Sequence, residues 1–591
     1  MCGIVGLVGS NFNTDSLFSI VSTLDHRGPD AKGQWYSETC WLGHTRLAVI
    51  DINQRANQPF KDIKGKEVIV YNGEIYNFKE IRKELQIYGI KFKTQSDTEI
   101  ILHSWRKWGS ECFIKFKGMF ALAIWDPIKM ELILARDRFG EKPLYYASCK
   151  NSFFFSSELR TILKLSGINQ LDLSSINEYL YFGHVATPNS FAKGVLKILP
   201  GTFIRYTKAS TSVHKYWAAP DQRIFAHKKI ISSKIRSKFL RSLEVNLVSD
   251  VEVGLLLSGG IDSTAIATLV RKEFGQRINC ISVGYKGSKN DETNIAKSTC
   301  KKLGHSFFRV EISNQRLIEN FPNLISSMDE PIADLASSSY FEAYIKAKQL
   351  GLKVVLGGLG SDELFWGYDF HNKNVNNSEL LEIGRKKNYL TSLNSAESWR
   401  DQLLWRNDSY PASDLPEFFR KERYFFDNNR LPSKILTKKN QENWSQGIQR
   451  ILLRNWLEGN CLSLTDRLAM SQSIESRSPF LYPDLSQFAL SLTFSSHETN
   501  KNSKSILREA LRNDLEDEIL FKSKKGFTPP VGNWIHNICN SFYSTVTMNE
   551  VLGEFLDLEL IMDKTLVYKL CILALWLEDL ESLGINLSIK K

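Results

Sequence analysis

Ser258-Gly259-Gly260-Ile261-Asp262-Ser263 places two hydroxyls, two glycines and a carboxylate between an apolar run and a helical pattern. Glycines without a Cβ let successive backbone N–H groups converge on phosphate oxygens, the following helix N-terminus adds partial positive charge, and Ser258 and Ser263 add donors. Asp262 would repel a bare phosphate, so it is expected to act through Mg²⁺, a hard cation that takes carboxylate and phosphate oxygens together. No Gly-Lys-Ser/Thr ending follows, which excludes a Walker-type loop. A second glycine-rich turn, Gly357-Gly358-Leu359-Gly360-Ser361-Asp362-Glu363, suggests another Mg²⁺–pyrophosphate contact at Asp362. At the start of the chain, Cys2 follows Met1. Removal of the initiator would give a thiol whose own α-amine, with an ordinary pKa of about 7.7–8.0, can serve as its base.

These groups need frames to hold them. Residues 253–257 form a continuous apolar run of the kind a buried parallel strand shows, and 264–270 carry apolar residues at helical spacing. A helix over 229–248 precedes them. Patterns over 278–285, 293–303, 307–312, 337–350 and 353–356 then alternate between strand and helix, which makes a doubly wound parallel sheet the economical solution. Ligands of such sheets sit at the carboxyl ends of the strands, where both glycine-rich loops fall. In the first third, 15–24 and 77–88 read as helices, with Asn77 as an N-cap, and 68–71, 119–125 and 132–135 read as strands. A last strand at 213–217 is followed by Ala218-Ala219-Pro220-Asp221, which breaks the pattern. The expected domains are therefore 1–217 and 218–591. Residues 375–450, charged and rich in aromatics such as Trp399 and Trp405, read as a helical insertion.

Composition narrows the function classes. At 591 residues the chain exceeds what one core usually serves. Its longest apolar segments, such as 570–577, are too short to span a bilayer and no basic-then-apolar leader opens it, so a cytoplasmic protein with no membrane partner is expected. Nine cysteines without a CxxC pair argue against a disulfide framework or zinc site. The net charge of +11 is spread among acids, which favours a solvated surface or anionic small substrates over nucleic acid. Oligomeric state stays open, a homodimer included.

Four polar stretches in the first domain carry a family resemblance: His44-Thr45-Arg46-Leu47-Ala48-Val49-Ile50-Asp51, Tyr71-Asn72-Gly73-Glu74-Ile75-Tyr76-Asn77, Ser96-Asp97-Thr98-Glu99 and His26-Arg27-Gly28-Pro29-Asp30. With Cys2 they resemble the class II glutamine amidotransferases, whose glutaminase domain is an Ntn-type αββα sandwich. The resemblance implies that Cys2 attacks the side-chain amide of glutamine and that the Asn72 amide and Gly73 N–H form the oxyanion hole. It further implies that Arg46 holds the α-carboxylate, while Asp97 and Glu74 engage the α-amino end. Taken alone, an Asn-Gly pair is often a hairpin turn.

The second domain resembles the ATP pyrophosphatases through its SGGxDS loop. It resembles the asparagine synthetase family through Gly357–Tyr368 with Asp466-Arg467-Leu468-Ala469-Met470, Glu475-Ser476-Arg477-Ser478-Pro479-Phe480 and Lys524-Lys525-Gly526-Phe527. By that likeness Leu256 and Val283 lie against adenine, Ser258, Gly259, Gly260, Asp262 and Ser263 take the phosphates with Gly357 and Gly358, and Lys524 neutralises charge during adenylation. The fold implied is α+β followed by α/β with helical additions. The implied activity is ATP- and Mg²⁺-dependent amidation of a carboxylate, aspartate by default, with glutamine as nitrogen donor and AMP and pyrophosphate as products. Two positions depart from the asparagine-forming pattern: Leu359 stands where an acidic residue is usual, and Tyr482 where an Asp is common. Another acceptor, such as a uronic acid, therefore stays open, as do a non-catalytic relative and an enzyme of transfer RNA.

Overall fold

The computed structural model describes residues 1–9, 12, 14–62, 66–222, 224–285, 291–369, 372, 444–497, 502–522, 529–558, 561 and 563–589. Lys524 and most of 375–450 lie outside the described residues.

The first domain stacks two six-stranded antiparallel sheets. In one, Cys2–Val8 lies between Ser152–Ser156 and Cys40–Arg46; in the other, Gly118–Asp126 lies between Val68–Ile75 and Glu131–Arg136. Period-two alternation explains the layers. Along Val68–Ile75, Val68 and Val70 face Ile4 and Leu42 of the other sheet, whereas Ile69 and Tyr71 face helices Phe78–Ile87 and Asp97–Trp108. On the far side, Val5 and Leu7 pack under helices Thr14–Val21 and Leu159–Ser166, completing the αββα sandwich.

The second domain is built on a five-stranded sheet, all neighbours parallel, in the order Ser306–Ile312, Asn279–Tyr285, Val253–Leu256, Val354–Leu356, Glu475–Arg477. Leu255, Cys280 and Leu356 pack against helices Ile261–Phe274 and Thr293–Leu303 on one face; Ile281, Val283 and Val355 pack against Ala336–Gln349 on the other. Strand order runs one way from Val253–Leu256 through its two successors, then resumes on the other side with Val354–Leu356. That reversal leaves a crevice at the carboxyl ends of these two strands. The loops beginning at Leu257 and Gly357 open into it.

Three local expectations change. The strand expected over 68–71 runs on to Ile75, so Asn72 and Gly73 lie mid-strand, opposite Ala121 and Phe120, and form no hairpin turn. Asn77 flanks its helix without capping it, because its side chain instead bridges Lys115 O and Lys117 N. The edge strand at the end of the sandwich is Ser210–Lys215. Among the described residues no helix is long and apolar enough to cross a membrane.

Candidate active sites

Strand register assembles the first site. Cys2 pairs with Arg46 across adjacent strands, and its backbone N–H donates to Asn72 Oδ1 over 2.9 Å. That bond fixes the Asn72 amide. Its Nδ2 is left fully buried and without an acceptor among the described residues, beside the Cys2 backbone. An orphaned buried donor is costly unless something visits it. Next to it, a Cβ on Gly73 would fall 2.1 Å from Met119 O, so only glycine keeps this strand paired while its backbone borders the site.

Arg46 lines the same pocket, with its guanidinium donating to Asn53 O and Asn57 Oδ1, each at 2.8 Å, and to Ile50 O and Asp51 O. Here it orders the 50–57 loop against the pocket. Asp97, at the start of its helix, accepts from Tyr71 Oη at 2.8 Å and Ile75 N at 3.0 Å. Glu74 lies 3.7 Å from the Arg477 guanidinium. Burial raises both carboxyls, Glu74 well above its ordinary range with the Asp97 charge adding to it. Burial also pushes the Cys2 thiol up, opposed by the terminal ammonium and Arg46.

Met1 occupies the space beside them. Its ammonium pairs with Glu475 Oε2 at 3.1 Å, and its side chain packs with Tyr76, Met119, Val245, Met470 and Tyr482. The cavity left at Cys2 is about 30 Å³, room for water but not for an amino acid. While Met1 is present, Cys2 has an amide nitrogen and no α-amine to act as base. Tyr482 belongs to this interdomain cluster, its ring 6.2 Å from Tyr76, and does not line the larger cavity described next.

The second site is a cavity of about 640 Å³ in the sheet crevice. Leu256 and Val283 border it, as do Ser258, Gly260, Asp262 and Ser263 of the first loop and Gly357, Gly358, Leu359 and Asp362 of the second. The first loop closes on itself: Ser258 N donates to Ser263 Oγ at 3.2 Å and Gly260 N to Ser258 Oγ at 3.3 Å. Gly259 takes φ +80° there, against Glu292 O, and is not itself a lining residue. The loops also touch each other, since Ser361 Oγ donates to Asp262 Oδ1 at 2.6 Å.

One central cation was not foreseen. Lys504 Nζ lies 2.7 Å from Asp262 Oδ2 and 2.7 Å from Asp362 Oδ1, and its side chain is buried. Burial works against its charge, but the two carboxylates outweigh that and raise its pKa. Its only trace in the sequence is Arg508 four residues on; Lys504 immediately precedes helix Ser505–Ala510, Arg508 lies in its last turn, and both line the cavity. Asp262 and Asp362 converging on one cation is a hard-oxygen donor pair that fits Mg²⁺. Among the described residues no group of three potential metal-ligating side chains is found.

A buried ionic seam joins the two sites. Arg27 donates from Nε to Cys2 O at 3.1 Å, and pairs with Asp466 of the second domain at 2.8 Å and Glu158 of the first at 3.2 Å. Lys142 reaches the other Asp466 oxygen at 3.0 Å, Arg136 pairs with Glu458, and Arg467 with Glu330. The strand Glu475–Arg477 thus serves both domains: it closes the parallel sheet and walls the Cys2 pocket.

Two family models match the chain. A glutamine amidotransferase domain model covers residues 1–217 and an asparagine synthase model residues 234–571. Asparagine synthetase [glutamine-hydrolyzing] 1 of Bacillus subtilis is 28% identical, covering 95% of this chain and 92% of its own. A putative asparagine synthetase [glutamine-hydrolyzing] of Mycobacterium tuberculosis is also 28% identical, covering 94% and 92%. Amidase chry2 of Gibberella zeae is 26% identical over 88% and 86%. With the synthase model matching more than half of its length behind an amidotransferase domain, this chain belongs to the asparagine synthase family, the ATP-dependent ligases that draw nitrogen from glutamine.

Proposed function

We propose that the chain is a glutamine-hydrolysing asparagine synthase, with aspartate as its acceptor. After Met1 is removed, the α-amine of Cys2 takes the thiol proton and the thiolate attacks the side-chain amide carbon of glutamine. The oxyanion forms against Asn72 Nδ2 and the Gly73 N–H, the C–N bond breaks with release of ammonia, and water hydrolyses the thioester to glutamate. The observation that carries this reading is the buried, unpaired Asn72 Nδ2, held beside Cys2 by the Cys2 N–H. Arg46, Glu74 and Asp97 are assigned to the α-carboxylate and α-amino ends of glutamine.

In the larger cavity, an oxygen of the acceptor carboxylate attacks the α-phosphorus of ATP and pyrophosphate leaves. Ammonia then attacks the acyl carbon and AMP leaves. Leu256 and Val283 border the adenine, the Ser258–Ser263 loop with Gly357 and Gly358 donates to phosphate, and Lys504 offsets the charge that spreads over phosphate oxygens. Mg²⁺ bound at Asp262 and Asp362 would shield those oxygens further. Lys524 stays a candidate second cation.

The test is AMP and asparagine formation with glutamine, ATP and aspartate as the only carboxylate. Stoichiometric appearance of both supports the reading. Glutamine hydrolysis without AMP sends the acceptor to another carboxylate, a uronic acid being the second reading; Leu359 in the cavity wall leaves room for it by supplying no acidic group to orient aspartate.

A further inference from the structure

The wall of the larger cavity includes an irregular helix, tied through Trp456 and Tyr368 to Glu363 at the end of the second glycine-rich turn. Residues Leu452–Leu462 form a π-helix, a rarity that clusters at functional sites. In an ordinary α-helix, residues five apart point about 140° away from each other; in this wider turn they share a face. Asn455 and Asn460, and Trp456 and Cys461, are two such pairs, and all four line the cavity. Gly459 permits the arrangement, because a Cβ there would fall 2.9 Å from the His184 ring.

Two of these side chains are tied down. Asn455 Oδ1 meets His184 Nε2 at 3.1 Å. Trp456 Nε1 donates to Tyr368 Oη at 3.1 Å, which donates to Glu363 at 2.6 Å, so the indole is fixed against the wall. Asn460 differs. Its Nδ2 donates to Asp334 Oδ2 at 2.8 Å, a bond that only the amide nitrogen can make to a carboxylate, so the flip is settled. The carbonyl oxygen of Asn460 is then left buried, in a residue only 3% exposed, with no donor among the described residues. Asp334, which also accepts from Ala336 N at 2.9 Å, stands beside it on the cavity wall.

We infer that Asn460 and Asp334 form the recognition end of the acceptor subsite, and that the acceptor is a carboxylate whose carbon skeleton also carries an ammonium or hydroxyl donor. The inference rests on the adenylation reading given above. An amide oxygen and a carboxylate side by side on a buried wall accept hydrogen bonds and give none, so they select a ligand that donates. Trp456 and Leu359 supply flat and apolar surface for the skeleton that bears the donor. An ammonium would come from an amino acid and a hydroxyl from a sugar acid; both satisfy the same pair of oxygens.

The experiment compares L-aspartate, D-glucuronate and succinate, which lacks the donor, on the full-length wild-type enzyme and on Asn460→Leu and Asp334→Asn. AMP release is followed with ATP, Mg²⁺ and ammonium chloride, and binding of each carboxylate to the ATP-loaded protein by saturation-transfer NMR. Wild type is expected to favour a donor-bearing carboxylate over succinate by about ten- to a hundred-fold. Asn460→Leu is expected to abolish that preference through the acceptor KM, with ATP KM and glutaminase rate unchanged. Preference for aspartate, weakened further in Asp334→Asn, identifies an ammonium; preference for glucuronate identifies a hydroxyl. Should Asn460→Leu fail to fold, as shown by lost glutaminase activity, Asp334→Asn carries the comparison alone. If no carboxylate yields AMP, the adenylation reading fails, and the binding data still decide: selective binding that the variants lose supports the subsite. Succinate binding as well as the others, no carboxylate binding at all, or a preference intact in both variants overturns it.

Discussion

At Cys2 the proposed chemistry depends on a hydrogen bond that a side-chain amide accepts, leaving its own N–H groups unused. If those N–H groups meet the oxyanion, Asn72→Ala should lower glutamine-dependent kcat by about 10²–10³-fold. The rate with ammonium chloride as nitrogen source should be unchanged; parallel assays with the two nitrogen donors check both. The second site gives the converse. Lys504→Met leaves Asp262 and Asp362 facing each other without their shared cation. ATP-dependent AMP release should fall at least a hundred-fold while glutamine hydrolysis persists, a split measured by glutamate and AMP in the same samples. Cys2, Asn72 and Asp262 are singled out in the sequence by the motifs around them, which carry the family resemblance; read alone, Asn72-Gly73 is a turn. Lys504 and Asn460 are not singled out. One is defined by two carboxylates more than a hundred residues upstream, the other by a wide helical turn that spacing rules for an α-helix do not describe.

Among the elements, the strands and helices of both sheets followed from apolar periodicity, since each buries one face in a layer of its own. Departures occur where a polar residue stays inside an element. Asn72-Gly73 has the composition of a turn, yet pairing with Gly118–Asp126 carries the strand through it. Gly73→Ala should therefore cost stability rather than merely stiffen a turn: with Met119 O 2.1 Å from the new Cβ, about 1–3 kcal/mol of overpacking is expected, read as a lower Tm. Helix Leu173–Phe182 contains another buried polar group. Glu178 accepts from Ala186 N and Asn189 Nδ2, and burial pushes its carboxyl up to about 7, with those hydrogen bonds opposing. A folded pKa above the unfolded value means that stability is fully present below about pH 4.5 and declines as pH rises through about 7. Glu178→Gln does not titrate. Its stability relative to wild type, followed through Tm, should rise between those two values and then level off, by an amount on the order of 3 kcal/mol.

Across the whole molecule, the two candidate sites share a wall: Glu475 borders the Cys2 pocket and its neighbour Ser476 the larger cavity. Asp466 holds Arg27 and Lys142 of the first domain, and Arg27 in turn donates to the carbonyl of Cys2, so a carboxylate of the second domain helps to set the position of Cys2, the proposed nucleophile. Asp466, Arg27 and Lys142 are all buried. Inside a protein such a cluster is worth little against an apolar replacement of the same shape, but removing one member strands the others. Asp466→Ala is thus expected to lower the stability of the full chain by about 3–5 kcal/mol, in a single cooperative transition, because Lys142 loses its carboxylate and Arg27 keeps only Glu158. The second consequence distinguishes positioning from packing. Glutamine hydrolysis should fall in kcat although residue 466 does not border the Cys2 pocket, and Asp466→Glu should restore part of it. A variant of lower Tm with an unchanged glutaminase rate would show that the seam only joins the domains. A rate lost and regained with the carboxylate would show that the second domain sets the first one's nucleophile in place.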